Sequence, residues 1–325
     1  MRFIIIFLLG LASMLAMCQS PRVREPRVNG VSLVNPPREI NADKMGEVTR
    51  VNAGWVAVIP YGFSRSGEPS VTFDHARQWW GERTKGTCEM IAYAKSHNLK
   101  VMLKPHVWVM GEGWTGDYNL QTEDEWKKWE KDYTAYILNH AAVADSMDVE
   151  LLCIGTEYRV PARERAEFWR GLIASVKQVY SGKITYASNW DNYSNITWWD
   201  KVDYIGIDSY FPIAQGDHPS ISSIVEGWEP IKNQLAAFSQ TWNRPILFTE
   251  YGFQSVNGAT GRHWEVDKSP SNANLQLQAD AFEATFQALE NEPWWMGGFF
   301  WKWHFTSGYG RTKGTEWTPQ GKSAE

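Results

Sequence analysis

Short, nearly continuous apolar runs recur along the chain: Gly30 to Val34, Trp55 to Ile59, Lys100 to Lys104, Glu150 to Ile154, Lys183 to Ala187, Tyr204 to Asp208, Ile246 to Glu250 and Gly298 to Trp301. Runs of this length without polar alternation are expected of strands covered on both faces. Between them lie segments of helical period. Thr122-Glu123-Asp124-Glu125 opens the segment to Met147 as a capping box, in which the Thr122 hydroxyl accepts from the backbone three residues on and Glu125 reaches back. Pro161 suits the first turn of a helix running to Tyr180, and further helical stretches are Cys88 to His97, Ser223 to Trp242 and Asn272 to Glu290. The connections after the first and fifth runs are shorter, with weaker helical patterns. Eight alternating β/α units predict an α/β fold, a single (β/α)8 TIM barrel. A doubly wound sheet is the alternative, but it uses fewer strands and no Gly-x-Gly-x-x-Gly follows the first one. Neither an internal repeat nor a linker to a second domain interrupts the pattern.

The N-terminus reads differently. Met1 and Arg2 precede an apolar stretch from Phe3 to Met17, too short for a permanent bilayer span and typical of a secretory signal. Its end, Leu15-Ala16-Met17-Cys18, resembles a bacterial lipobox, where the chain is cut before a cysteine that carries lipid; Met17 replaces the usual small residue. An ordinary signal cut nearby is the alternative, yet no small-x-small site stands there. The reading is a signal peptide over 1–17, a lipidated Cys18 with an Arg/Pro-rich tether over 18–29, and a catalytic barrel over 30–325. It predicts an exported lipoprotein anchored to the cell envelope, periplasmic or on the cell surface, touching the membrane through its lipid alone.

Composition narrows the function. The 325 residues carry a formal charge of −5 with no run of Lys or Arg, which argues against nucleic acid as a partner. Cys88 and Cys153 sit in apolar segments and are expected to be buried thiols, not a disulfide framework. No Cys/His cluster has zinc spacing and His-Glu-x-x-His is absent, so neither metal nor cofactor is indicated. Gly62-Phe63-Ser64-Arg65-Ser66-Gly67 misses the spacing of a nucleophile elbow by one residue. A monomer is expected. The unusual number is 19 Trp, beside 13 Tyr and 14 Phe, more aromatic surface than a core requires and suited to stacking on sugar rings.

Barrel sites lie at the C-terminal ends of the strands. The fourth run closes as Ile154-Gly155-Thr156-Glu157-Tyr158 and the seventh as Phe248-Thr249-Glu250-Tyr251-Gly252, so each delivers one glutamate to the mouth. Two carboxyl groups converging on a cleft suit glycosidic cleavage, provided their surroundings push their pKa values apart. Separate pairing of each with Arg or Lys, tying loops, is the structural alternative. Other run ends supply His106 and Trp108, Asn189 and Trp190, Asp208 and Tyr210, and Trp301 and Trp303 as candidate substrate contacts. His106 could equally be a packing histidine, and one of Trp301 and Trp303 could be core. Trp79-Trp80, Trp198-Trp199 and Trp294-Trp295 are expected to pack, with an outer sugar subsite as the lesser reading.

These strand ends resemble the clan A glycoside hydrolases, and within them family 113, the β-mannanases. The resemblance runs over most of the chain from Gly30: Trp55 to Tyr61, Lys104-Pro105-His106-Val107-Trp108, Ile154-Gly155-Thr156-Glu157, Thr249-Glu250-Tyr251-Gly252 and the closing Thr318-Pro319-Gln320-Gly321-Lys322. It implies Glu157 as acid/base, Glu250 as nucleophile, Tyr210 as the tyrosine holding that nucleophile, and Trp301 beneath the sugar at the cleavage point. Thr156 stands where many clan members carry Asn, as in family 113 and unlike the cellulase-like families. The implied activity is retaining endo-β-1,4-mannanase action on mannan, glucomannan or mannooligosaccharides, with a carboxyl separation of ~5 to 5.5 Å. The alternatives are the same machinery set for glucan, xylan or galactan, and a surface glycan-binding lipoprotein that does not cut.

Overall fold

The computed structural model describes residues 26–111, 114–305 and 314–325, so Cys18, the signal segment and most of the tether lie outside the described residues. Eight parallel strands close into one barrel, with sequence neighbours hydrogen-bonded side by side throughout. In chain order they are Val28–Val34, Trp55–Val58, Lys100–Leu103, Leu151–Thr156, Lys183–Asn189, Tyr204–Asp208, Ile246–Tyr251 and Trp295–His304. Every predicted strand is present. The eighth is longer than expected, its N-terminal part bending through Gly297 at φ +89°, a conformation that favours glycine.

Side chains alternate between two cores. Ala57, Met102, Leu151, Cys153, Leu247 and Phe299 fill the barrel, while their neighbours Val56, Val58, Val101, Leu103, Leu152 and Phe248 belong to the larger core under the helices. Met102 and Lys104 are two residues apart and so share the inward face, which sends a lysine into the top layer of the barrel. Cys153 is buried as expected; Cys88 is only half-buried.

The helices depart more from expectation. The capping box forms as predicted, with Thr122 and Glu125 exchanging bonds at the head of helix Glu123–Ser146. The helix expected from Pro161 to Tyr180 is broken into Arg159–Glu164 and Ala166–Val179. Arg165 at the joint is bonded to both Glu123 and Glu130 at 2.8 Å, which fixes the break against the preceding helix. After the fifth strand there are only the short turns Tyr193–Asn195 and Trp199–Lys201. Trp198 and Trp199, both fully buried, cover the barrel there in place of a helix, their indole N–H groups donating to the Ala162 and Tyr193 carbonyls at 2.9 Å. Among the described residues no helix follows the eighth strand; an apolar groove of about 400 Å³ lies there, walled by Tyr251, Phe282, Phe286, Phe300 and Trp303.

Among the described residues two strands fall outside the barrel. Tyr61–Arg65 and His106–Met110 form a parallel pair that rises above the second and third barrel strands. Pro60 and Pro105 interrupt the runs because proline lacks the ladder donor, which is why the sequence reads as ending there. The Tyr136 hydroxyl braces the extension, donating to the Pro60 and His106 carbonyls at 3.2 and 2.7 Å.

Trp198 stacks on Trp169 at 5.2 Å and has no solvent exposure, so Trp198→Ala is expected to cost about 3 to 5 kcal/mol. Equilibrium urea unfolding measures it; a loss below about 1 kcal/mol would show that these tryptophans do not replace the missing helix as cover.

Candidate active site

The seventh strand carries Glu250 to the barrel mouth through a register shift, in which Ile207 faces Phe248 but Asp208 faces Glu250. The skipped residue, Thr249, bulges, so that Thr249 and Glu250 both reach partners at the top of the barrel. There the Lys104 ammonium, with no exposed surface, lies 2.6 Å from Glu250 Oε1 and 3.0 Å from Asp208 Oδ1. Asp208 Oδ1 also accepts from the Thr249 hydroxyl at 2.8 Å. The second oxygen of Glu250, Oε2, accepts from the Tyr210 hydroxyl at 2.7 Å. Both oxygens of Glu250 are thus held, one by a full positive charge.

Glu157 stands in the opposite electrostatic setting. It follows the fourth strand at φ +55°, a left-handed conformation costing about 1 to 2 kcal/mol for a residue with a side chain. Gly155 makes room beneath it: a Cβ there would lie 2.7 to 2.9 Å from Tyr133, Trp169 and Tyr186. Among the described residues its carboxylate has one partner, the Trp114 indole N–H at 2.8 Å from Oε2, and no ammonium or guanidinium. Burial, followed by the charges of Asp208 and Glu250, pushes its pKa up to about 8 against the smaller pull of Trp114 and Lys104. Lys104 shows the reverse balance: burial opposes its charge, but Asp208 and Glu250 outweigh burial and hold it above its ordinary value. Burial and the Glu250 charge raise Asp208, with Lys104 pulling it back.

Glu157 and Glu250 line one cavity of about 200 Å³, together with Tyr61, His106, Trp108, Trp114, Thr156 and Trp301. His106 lies 3.7 Å from Glu250 Oε1, but burial and the neighbouring Lys104 hold its pKa well below the usual histidine value, so the ring is neutral and forms no ion pair. Among the described residues its Nε2 and the Thr156 hydroxyl are buried without a partner, two polar atoms at the cavity that a sugar hydroxyl would satisfy. Trp301 is stacked parallel to His106 at 6.4 Å and Trp108 is 58% exposed at the rim.

The remaining predicted contacts separate. Asn189 donates to Asp191 at 2.9 Å beside the mouth, and Trp190 stacks on Trp264 at 6.0 Å on the outer rim. Asp208 is fully buried under Lys104 and has no surface to offer a sugar; its place in the site is as counter-charge, not as substrate contact. Trp303 is a second correction. A register shift between Phe300 and Trp303 turns it outward, 1% exposed, toward the groove on the barrel's flank.

Three residues escaped the sequence reading. Lys104 ends an apolar run and gave an inward signal only through its two-residue spacing from Met102. Trp114 lies in an irregular loop whose position depends on Arg159, which bonds Asp117 and covers the Trp114 ring at 5.3 Å. Trp264, 48% exposed, has no periodic context at all. Among the described residues no group of three or more His, Cys, Asp or Glu could hold a metal ion.

The model of glycoside hydrolase family 113 matches residues 38–317. Among solved structures, a family 113 β-1,4-mannanase determined as a complex is 24% identical with a TM-score of 0.78, over 92% of this chain and 96% of that one. The family 113 β-mannanase from Alicyclobacillus acidocaldarius is 23% identical with a TM-score of 0.79, over 92% and 95%. A β-glucuronidase from Ruminococcus gnavus shares 15% identity and a TM-score of 0.59, over 90% of this chain but 46% of that one. At these identities the solved structures share the fold. No curated protein matches this chain. The family match spans most of the sequence, from just past the first strand to the closing segment, and the chain belongs to glycoside hydrolase family 113.

Proposed function

We propose that this glycoside hydrolase is a retaining endo-β-1,4-mannanase in which Glu157 is the acid/base and Glu250 the nucleophile. The observation that carries the reading is the unequal treatment of two glutamates in one cavity. Glu157, with its pKa raised to about 8, keeps its proton at neutral pH and can deliver it to the departing glycosidic oxygen. Glu250, beside the Lys104 ammonium and under the Tyr210 hydroxyl, is held ready to attack the anomeric carbon. In the first step the C–O bond to the leaving sugar breaks, its oxygen takes the Glu157 proton, and Glu250 bonds to the anomeric carbon. That bond neutralises Glu250, which removes one of the charges raising Glu157. Glu157, now ionised, takes a proton from water as the water oxygen displaces Glu250, and both glutamates return to their starting states. Lys104 touches no substrate; it positions Glu250 and balances Asp208.

The β-1,4-mannan preference rests on the family and on its similar members, which are described as β-1,4-mannanases. Hydrolysis of mannohexaose, cellohexaose and xylohexaose separates it from the other β-glycans. Mannohexaose is expected to turn over at least tenfold faster than either competitor, with the β-anomer formed first; faster turnover of a competitor, or no cleavage of any, rejects the assignment.

We further propose that residues 1–17 are a signal and that Cys18 anchors the barrel to the cell envelope, a reading supported by the N-terminal sequence alone. Membrane fractionation tests it: Cys18→Ser is expected to move the protein from the membrane to the soluble fraction, and an unchanged distribution rejects the anchor.

The raised pKa of Glu157 also couples to folding. Between the ordinary carboxyl pKa of about 4.3 and about 8, the folded chain keeps a proton that the unfolded chain has lost, so this group lowers stability as pH rises through that window. Glu157→Gln is expected to raise the melting temperature at pH 8 and to have little effect at pH 4.5; an equal shift at both would contradict the raised pKa.

A further inference from the structure

The two carboxyl oxygens of Glu157 have unequal surroundings. Oε2 accepts from the Trp114 indole N–H at 2.8 Å, whereas Oε1 has no partner among the described residues. A protonated carboxyl carries its hydrogen on one oxygen, and an oxygen that already accepts an N–H is the poorer place for it. Trp114 therefore stands where it can decide between the two.

Trp114 is itself held from several sides. The Arg159 guanidinium covers its ring, 5.3 Å from the centre, and pairs with Asp117 in the turn Thr115–Asp117 that follows Trp114. Gly116 packs against the ring so closely that a Cβ there would collide with it. Asp117 closes the turn, donating its backbone N–H to the Trp114 carbonyl at 2.9 Å. A second nitrogen of Arg159 lies 4.0 Å from Asp191, beyond the fifth strand. Arg159 opens the short helix Arg159–Glu164 two positions after Glu157, so one stretch of chain presents both the acid and the group that fixes its donor. Covering a ring while pairing with a carboxylate suits a planar guanidinium and not a compact ammonium.

Resting on the reading of Glu157 as acid/base, we propose that Trp114, held by Arg159, is a positioning residue that keeps the Glu157 proton on Oε1. In the first step the proton leaves Oε1 for the glycosidic oxygen as the C–O bond breaks, and the charge left on the carboxylate is shared with Oε2 under the indole N–H. In the second step Oε1 recovers a proton from water. An N–H bonds more strongly to a carboxylate than to a carboxyl, so Trp114 favours release of the proton. The other groups facing Glu157 are Glu250 from the seventh strand, Asp208 from the sixth and Lys104 from the third, with the hydroxyls of Tyr61, Tyr186 and Tyr210. Among the described residues Trp114 alone donates to its carboxyl.

The test uses two aryl β-mannobiosides: a phenyl one, whose poor leaving group needs a proton, and a dinitrophenyl one, whose leaving group departs without it. Trp114→Phe keeps an aromatic ring but removes the N–H, Arg159→Met removes the guanidinium, and the melting temperature checks that each variant folds. Trp114→Phe is expected to lower kcat/KM at least tenfold more for the phenyl than for the dinitrophenyl substrate. It is also expected to move the alkaline limb of the phenyl pH profile to higher pH, because the ionised carboxylate has lost its donor. Arg159→Met is expected to shift both readouts in the same direction and to add nothing in the Trp114→Phe background. Equal losses on the two substrates with an unmoved alkaline limb would overturn the proposal, leaving Trp114 as cavity wall. A full Arg159→Met effect persisting beside Trp114→Phe would overturn the part given to Arg159. Glu157→Ala separates this from the underlying reading: if it fails to spare the dinitrophenyl substrate relative to the phenyl one, the acid assignment falls and the proposal with it. Absence of cleavage of both substrates by wild type would bring down the mannanase reading first.

Discussion

One buried ammonium organises the chemistry of this barrel. Lys104 is sealed from solvent, 2.6 Å from Glu250 and 3.0 Å from Asp208, in the layer where the hydrophobic filling of the barrel gives way to the cavity lined by Glu157 and Glu250. A carboxylate in so dry a place would otherwise protonate, and a lysine would otherwise lose its proton. The two carboxyls hold Lys104 charged, Lys104 pulls Asp208 back against burial, and the negative charge of Asp208 and Glu250 adds to burial in raising the third carboxyl nearby, Glu157. The proton on Glu157 is therefore a consequence of how the charges beneath it are paired. Pairs of this kind add little net stability once desolvation is counted, whereas removing one partner strands the other. Positioning and polarity, not folding energy, explain the triad.

The irregular parts of the scaffold serve this arrangement. The bulge at Thr249 brings Glu250 to Lys104 and supplies a second hydroxyl to Asp208. Gly155 lets three aromatic side chains close under the turn that puts Glu157 in a left-handed conformation. Prolines 60 and 105 end two barrel ladders and start the raised pair that places His106 and Trp108 over the mouth. At the far end of the chain, Gln320 clamps both the N–H and the carbonyl of His304, tying the closing segment to the strand that carries Trp301.

The barrel was legible because its strands are short apolar runs, a signal that survives without any knowledge of contacts. Glu157, Glu250 and Tyr210 were legible for a related reason: they follow those runs directly, and the fold places such positions at one mouth. What was not legible depends on inserted or skipped residues. Trp301 and Trp303 look equivalent at a two-residue spacing, yet the register shift between them sends one to the cavity and the other to the flank. Asp208 reads as a sugar ligand until the lysine above it is seen, and that lysine comes from a strand 104 positions earlier. Trp114 reaches Glu157 through a loop held by Arg159, a contact that no local pattern encodes. The surplus of tryptophan divides likewise: Trp198 and Trp199 replace a helix as cover, while Trp108 and Trp264 remain at the surface around the cleft.

The central claim is that Glu157 is kept protonated by burial and by the charge around Glu250. Site-resolved titration of the Glu157 carboxyl, by NMR of 13C-labelled glutamate, measures this directly in the wild-type protein and in Glu250→Gln. The account predicts a midpoint near 8 that falls when the Glu250 charge is removed. A midpoint at the ordinary carboxyl value, or one that does not move in Glu250→Gln, would contradict it.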